Sequence, residues 1–120
     1  MRLQCKLVLF LFCFVILAGL VASFCTYYAL TYIEGAYECN PFLAMKFATY
    51  GVAECMPVIF VVNLIQFGIP SVGFFGLDFL FKKYRRVQLA LFLVCFVYLG
   101  FWAVVMGADM VNDILYVVSH

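Results

Sequence analysis

The chain has 120 residues, 69% hydrophobic and 11% charged, with a formal net charge of +1 and a mean hydropathy of +1.18. A soluble domain is about 45–50% apolar and about 25% charged, so a wet surface cannot hide this excess and an integral membrane protein is the class that fits. Seven basic residues against six acidic ones leave no electrostatic footprint for nucleic acid.

Arg2 and Lys6 come before a charge-free run over residues 7–33. As a helix rising about 1.5 Å per residue, the run is about 40 Å long, against a hydrocarbon core of about 30 Å. It therefore tilts or projects. Tyr27, Tyr28 and Tyr32 near its end suit the interface, where the ring is buried and the hydroxyl wet. Arg2, Lys6 and Val21-Ala22-Ser23 also imitate a secretory signal with a cleavage site. Apolar character continues well past Ser23 to Ile33, which favours a retained span.

Residues 34–54 form a loop carrying Glu34, Glu38 and Glu54 against Lys46. Within it, Asn40 is a good N-cap and Pro41 a good first helical residue. Phe42, Leu43, Met45, Phe47 and Tyr50 surround Lys46, so residues 41–50 read as a short interfacial helix ending near Gly51. It is too short to span.

The second apolar run covers residues 56–81. Pro70 should kink it, and Asn63, Gln66, Pro70 and Gly73 share one face. Lys82, Lys83, Arg85 and Arg86 then stop it. The third run covers residues 87–108, with Gly100, Ala103 and Gly107 on one face. Asp109 and Asp113 follow, and residues 110–120 read as an interfacial or frayed tail. The expected fold is all-α: a single integral membrane domain with three transmembrane helices and a short interfacial helix after the first.

Six of the seven Lys and Arg residues lie before the first span or between the second and third. With three spans those places share a side, which the positive-inside rule makes cytoplasmic. The N-terminus is then cytoplasmic, and the loop and C-terminus face outward. Lys82, Lys83, Arg85 and Arg86 also suit anionic lipid headgroups, at about 1 kcal/mol per basic residue.

Each span carries a small or polar stripe: Ala18, Gly19, Ala22, Ser23, Thr26 and Ala29 on the first, Asn63, Gln66, Pro70 and Gly73 on the second, Gly100, Ala103 and Gly107 on the third. Close packing through such residues drives helix association in lipid, so the stripes are expected to face one another. Asn63 and Gln66 either line a polar path or form interhelical hydrogen bonds to Ser23, Thr26 or backbone freed by Pro70. The second reading is the commoner use of membrane amides.

Glu34 and Glu38 would share a face only if the helix continued through Gly35. As a pair they suit cation binding or acid–base work, and otherwise they are solvated acids. Asp78, four residues before Lys82, reads as a weak interface ion pair. In an oxidising outer space, Cys39 and Cys55 would close the loop with a disulfide. No C-x-x-C, phosphate loop, nucleophile elbow or H-E-x-x-H occurs. No enzyme activity, cofactor or metal is expected.

Thr26, then Gly35, Glu38, Asn40 and Pro41, then Tyr84 and Arg85, resemble the pattern of the DUF5658 family of small membrane proteins of archaea and bacteria. That family has no assigned function. The resemblance implies a small helical membrane fold. Ala22 stands where the family pattern has Asp, and Asn63 where it has Lys, so the buried charged pair suggested by that pattern is missing here.

Small size and excess Phe and Tyr point to an accessory or scaffolding subunit, contacting membrane lipids and other membrane subunits through helix packing. The alternative is an oligomeric transporter or channel, with Asn63 and Gln66 along its path and Glu34 and Glu38 at its mouth. A membrane enzyme or lipid-binding protein using Glu38 is weaker, because three short helices leave little room for a pocket of several hundred Å3.

Overall fold

The computed structural model describes residues 2–38 and 40–120. Four helices follow in chain order: α1 (Leu3–Tyr32), α2 (Pro41–Tyr50), α3 (Val52–Leu80) and α4 (Arg85–Ser119), with no strand among the described residues. α1, α3 and α4 are each long and apolar enough to cross a membrane. The longest dimension, 58 Å, exceeds a whole bilayer of about 40–45 Å, so the bundle projects.

Local chemistry sets the corners. α1 stops at Ile33, which leaves helical geometry, and Gly35 takes φ +81°, the left-handed region that suits glycine. Glu34 and Glu38 therefore do not share a helix face. Asn40 caps α2: its side chain accepts from Phe42 N at 3.0 Å and Leu43 N at 3.5 Å, with Pro41 next in line. Gly51, at φ +93°, joins α2 to α3 with no intervening loop, so α3 starts earlier than the apolar run at residue 56.

α3 runs through Pro70 as continuous helix. Proline has no N–H to give the carbonyl four residues back, here that of Gln66. The Tyr98 hydroxyl of α4 donates to that oxygen at 3.4 Å, so a neighbouring helix supplies the missing donor. Of the two readings of the tail, interfacial or frayed, the frayed one is overturned, since the helix continues to Ser119. No proline interrupts it, and apolar residues continue past Asp109.

α1 is the central helix. It packs most extensively on α4, next on α3, while α3 and α4 touch each other least. Its inward side is the expected small stripe, with Ala18, Gly19, Ala22 and Ala29 buried beside Val8 and Val15. α3 corrects the expectation. Beyond Cys55 near its start, its buried residues are Phe67, Ser71, Phe74 and Asp78, rather than the polar and glycine stripe. Phe67 and Phe74 join Cys5, Val8 and Val15 of α1 and Cys95 and Leu99 of α4 in one core, where the large rings add dispersion contacts. Phe67 meets Trp102 edge-on at 5.8 Å, and Phe74 lies 6.3 Å from Phe92. On α4, Gln88, Cys95 and Leu99 are buried. Ala103 packs on the core, and a Cβ on Gly107 would meet the Phe14 ring at 3.4 Å, while one on Gly100 would meet open space.

Candidate functional site

The ends of α1 and α4 converge with the turn at residues 33–38 at one end of the bundle. They enclose a cleft of about 470 Å3 lined by Thr26, Tyr37, Glu38, Asp109, Asn112 and Asp113, among others. This exceeds the room expected of three helices. Glu38, half-buried, points its carboxylate at the backbone before α2 and accepts from Asn40 N at 3.1 Å. It thus shapes the chain entering α2 while lining the cleft. Asp109 and Asp113 are one turn apart on α4. At the rim, the His120 ring stacks on Tyr116 with centroids 4.2 Å apart, and its Nδ1 donates to the Tyr116 carbonyl at 2.8 Å.

α4 would be about 52 Å long at about 1.5 Å per residue, and its charge-free run ends at Ala108. Asp113 therefore lies beyond the span. Burial raises its carboxyl from the ordinary value to about 6, and the charges of Asp109 and Glu38 push the same way, while the Thr26 hydroxyl works against them. Near neutral pH this end concentrates negative charge in a partly desolvated cleft, an arrangement that attracts a cationic group. Among the described residues, no three His, Cys, Asp or Glu side chains converge as metal ligands.

The opposite end is tied by a polar knot. Asp78 pairs with Arg2, which also donates through Nη1 to Gln88 Oε1 at 3.0 Å. Gln88 Nε2 donates to the Asp78 carbonyl at 2.9 Å, and the Cys5 thiol lies 3.7 Å from Asp78 Oδ2. Three helices thus meet at Asp78, the α1 end through its carboxylate and α4 through its backbone carbonyl. The expected Asp78–Lys82 pair gives way to Arg2. The Lys82 ammonium sits instead over the Phe79 ring, 4.9 Å from its centroid.

The remaining residues singled out from sequence scatter. Glu34 is exposed in the turn after α1 and does not line the cleft. Asn63 lies against Gly19, where an added Cβ would come within 3.0 Å of its Nδ2. Gln66 takes part through its backbone carbonyl. Neither amide lines the cleft. The Cys55 thiol is buried and donates to the Lys46 carbonyl at 3.6 Å, whereas Cys39, its expected partner, lies outside the described residues. Lys83 stands in the exposed turn, and Arg85 and Arg86 open α4.

In the sequence, Asp109 and Asp113 stand out only as acids that follow the third run. The available signal was their placement on the same side as Glu38. Arg2 and Gln88 were missed because their partner is far away in sequence. No family model, curated protein or solved structure matches this chain.

Proposed function

We propose that the chain is an accessory subunit of a larger membrane protein complex, joined to a partner helix along the outward face of α4. One observation carries this reading. Val94, Val97, Phe101, Val104, Ala108, Val111, Leu115 and Val118 alternate at spacings of three and four, and all are exposed. Apolar residues in such a heptad pattern form the seam of paired helices. Lipid covers the first part equally well. Val111, Leu115 and Val118 come after Asp109, beyond the charge-free run, and are still 51%, 59% and 77% exposed. Burying each side chain is worth about 1.5–3 kcal/mol, which supports a protein partner there.

Native electrophoresis and mass spectrometry of the complex from its own membranes test this. The chain should run with a different membrane subunit, and V111K/L115K should release it while leaving its helix content intact. A wild-type monomer would overturn the reading. In this reading the end bearing Arg2 and the turn at residues 82–86 is cytoplasmic, by the positive-inside rule.

The second reading, an oligomeric transporter for cationic solutes, is favoured by the carboxylate-lined cleft around Glu38. It expects a homo-oligomer and cation flux in proteoliposomes that falls in Asp113→Asn.

A further inference from the structure

α3 and α4 touch each other less than either touches α1, and between them lies an apolar groove of about 740 Å3. Pro70, Gly73 and Leu77 form one wall; Ala90, Val94 and Tyr98 form the other. The stripe expected to pack between helices therefore partly lines an open trough. A Cβ on Gly73 would touch nothing within 4 Å.

Two observations say what fits there. The first is length. From Arg86 to Tyr98 the α4 wall rises about 18 Å at about 1.5 Å per residue, close to the roughly 15 Å depth of one hydrocarbon leaflet. The second is charge. Arg86 lines the groove at its outer rim, where α4 begins. Lys82, Lys83 and Arg85 stand in or beside the adjoining turn. Asp78, the acid of this end, is taken by Arg2, and among the described residues none of those four bases has an ion-pair partner.

We propose that this groove holds one acyl chain of an anionic phospholipid from the leaflet on the basic side, its phosphate against Arg86. The groove selects for a flexible hydrocarbon by its depth and apolar lining. The basic rim selects the headgroup. The site is independent of the α4 seam that carries the functional reading, apart from Val94 at their shared edge.

Native mass spectrometry of the full chain in detergent, titrated with phosphatidylglycerol or phosphatidylcholine of equal chain length, tests the proposal. Wild type should retain one phosphatidylglycerol in preference to phosphatidylcholine. Gly73→Leu, which fills open space, should abolish retention without changing helix content or thermal stability. Ala90→Phe fills the opposite wall and should do the same, which guards against one variant failing to fold. Arg86→Gln should lower the headgroup preference about fivefold, the equivalent of about 1 kcal/mol per basic residue, while an acyl chain still binds. Equal retention of both lipids by wild type would overturn the proposal, as would unchanged retention in the folded Gly73→Leu variant. A dimer that Gly73→Leu dissociates would also overturn it, because a second copy would then be the occupant.

Discussion

Asp78→Asn should loosen the whole basic end of the bundle, because the substitution removes charge but little shape. Asp78 is 8% exposed and pairs with an Arg2 side chain that is 44% exposed. A hydrogen bond to a charged group contributes about 1.5–3 kcal/mol, and breaking a fully buried pair costs about 3–5 kcal/mol. Arg2 still reaches water and Gln88 Oε1, so solvent screening brings the expected loss down to about 1–2 kcal/mol. Reversible unfolding in mixed micelles gives the measurement. Trp102 is the single tryptophan and packs on Phe67, so its fluorescence reports separation of α3 from α4. A double-mutant cycle with Arg2→Gln should show coupling of about 1 kcal/mol. A cycle with Lys82→Ala should show no more than the about 0.2–0.5 kcal/mol of an exposed i,i+4 pair. Stability unchanged in Asp78→Asn, or stronger coupling to Lys82 than to Arg2, would refute the reasoning.

Tyr98→Phe removes the donor to the Gln66 carbonyl and should cost about 1 kcal/mol. The cost should shrink in a Pro70→Ala background, where the backbone N–H returns, as the same unfolding assay would show. Gly19→Ala places a Cβ within 3.0 Å of Asn63 Nδ2 and Met106 Cε. It should destabilise by about 1–3 kcal/mol through overpacking, while Gly100→Ala, in open space, should be neutral or slightly stabilising. Asp113 has its carboxyl raised to about 6, so the folded state holds that proton more tightly than the unfolded chain. Its contribution is present below about pH 4 and is lost as pH rises through about 6. Melting curves at pH 4 to 7 should show the wild type falling relative to Asp113→Asn across that window.

The helices were legible from apolar runs and their stops, because lipid demands long uncharged helices whatever packs against them. The α2 cap was legible because Asn40 and Pro41 act within a few residues. Which face of α3 turns inward was not. The small-residue rule chose Gly73, but packing depends on the shape of the opposing surface. Phe67 and Phe74 fill the core beside Val8 and Val15 of α1, while Gly19 receives Asn63 and Met106. The same limit hid the acidic cleft. Glu38 and Asp113 are brought together by two helix ends whose relative heights depend on how α1 and α4 dock. Arg2 escaped notice for a similar reason: a local partner for Asp78 was available at Lys82, and only the bundle brings Arg2 closer.

The knot at Arg2, Asp78 and Gln88 bears on how the protein is made. Its three members arrive at the membrane at different times, because α1 leaves the ribosome before α3 and α3 before α4. Until α4 is in place, Asp78 lacks the amide that holds its backbone carbonyl, and Arg2 has only one of its two acceptors. The last hydrogen bonds therefore close only when all three spans sit at matching depth. A chain with α1 displaced along the membrane normal would leave the Asp78 carboxylate without Arg2, and one with α4 displaced would leave the Asp78 carbonyl without Gln88. The knot therefore sets the relative depth of the three spans as well as fastening them.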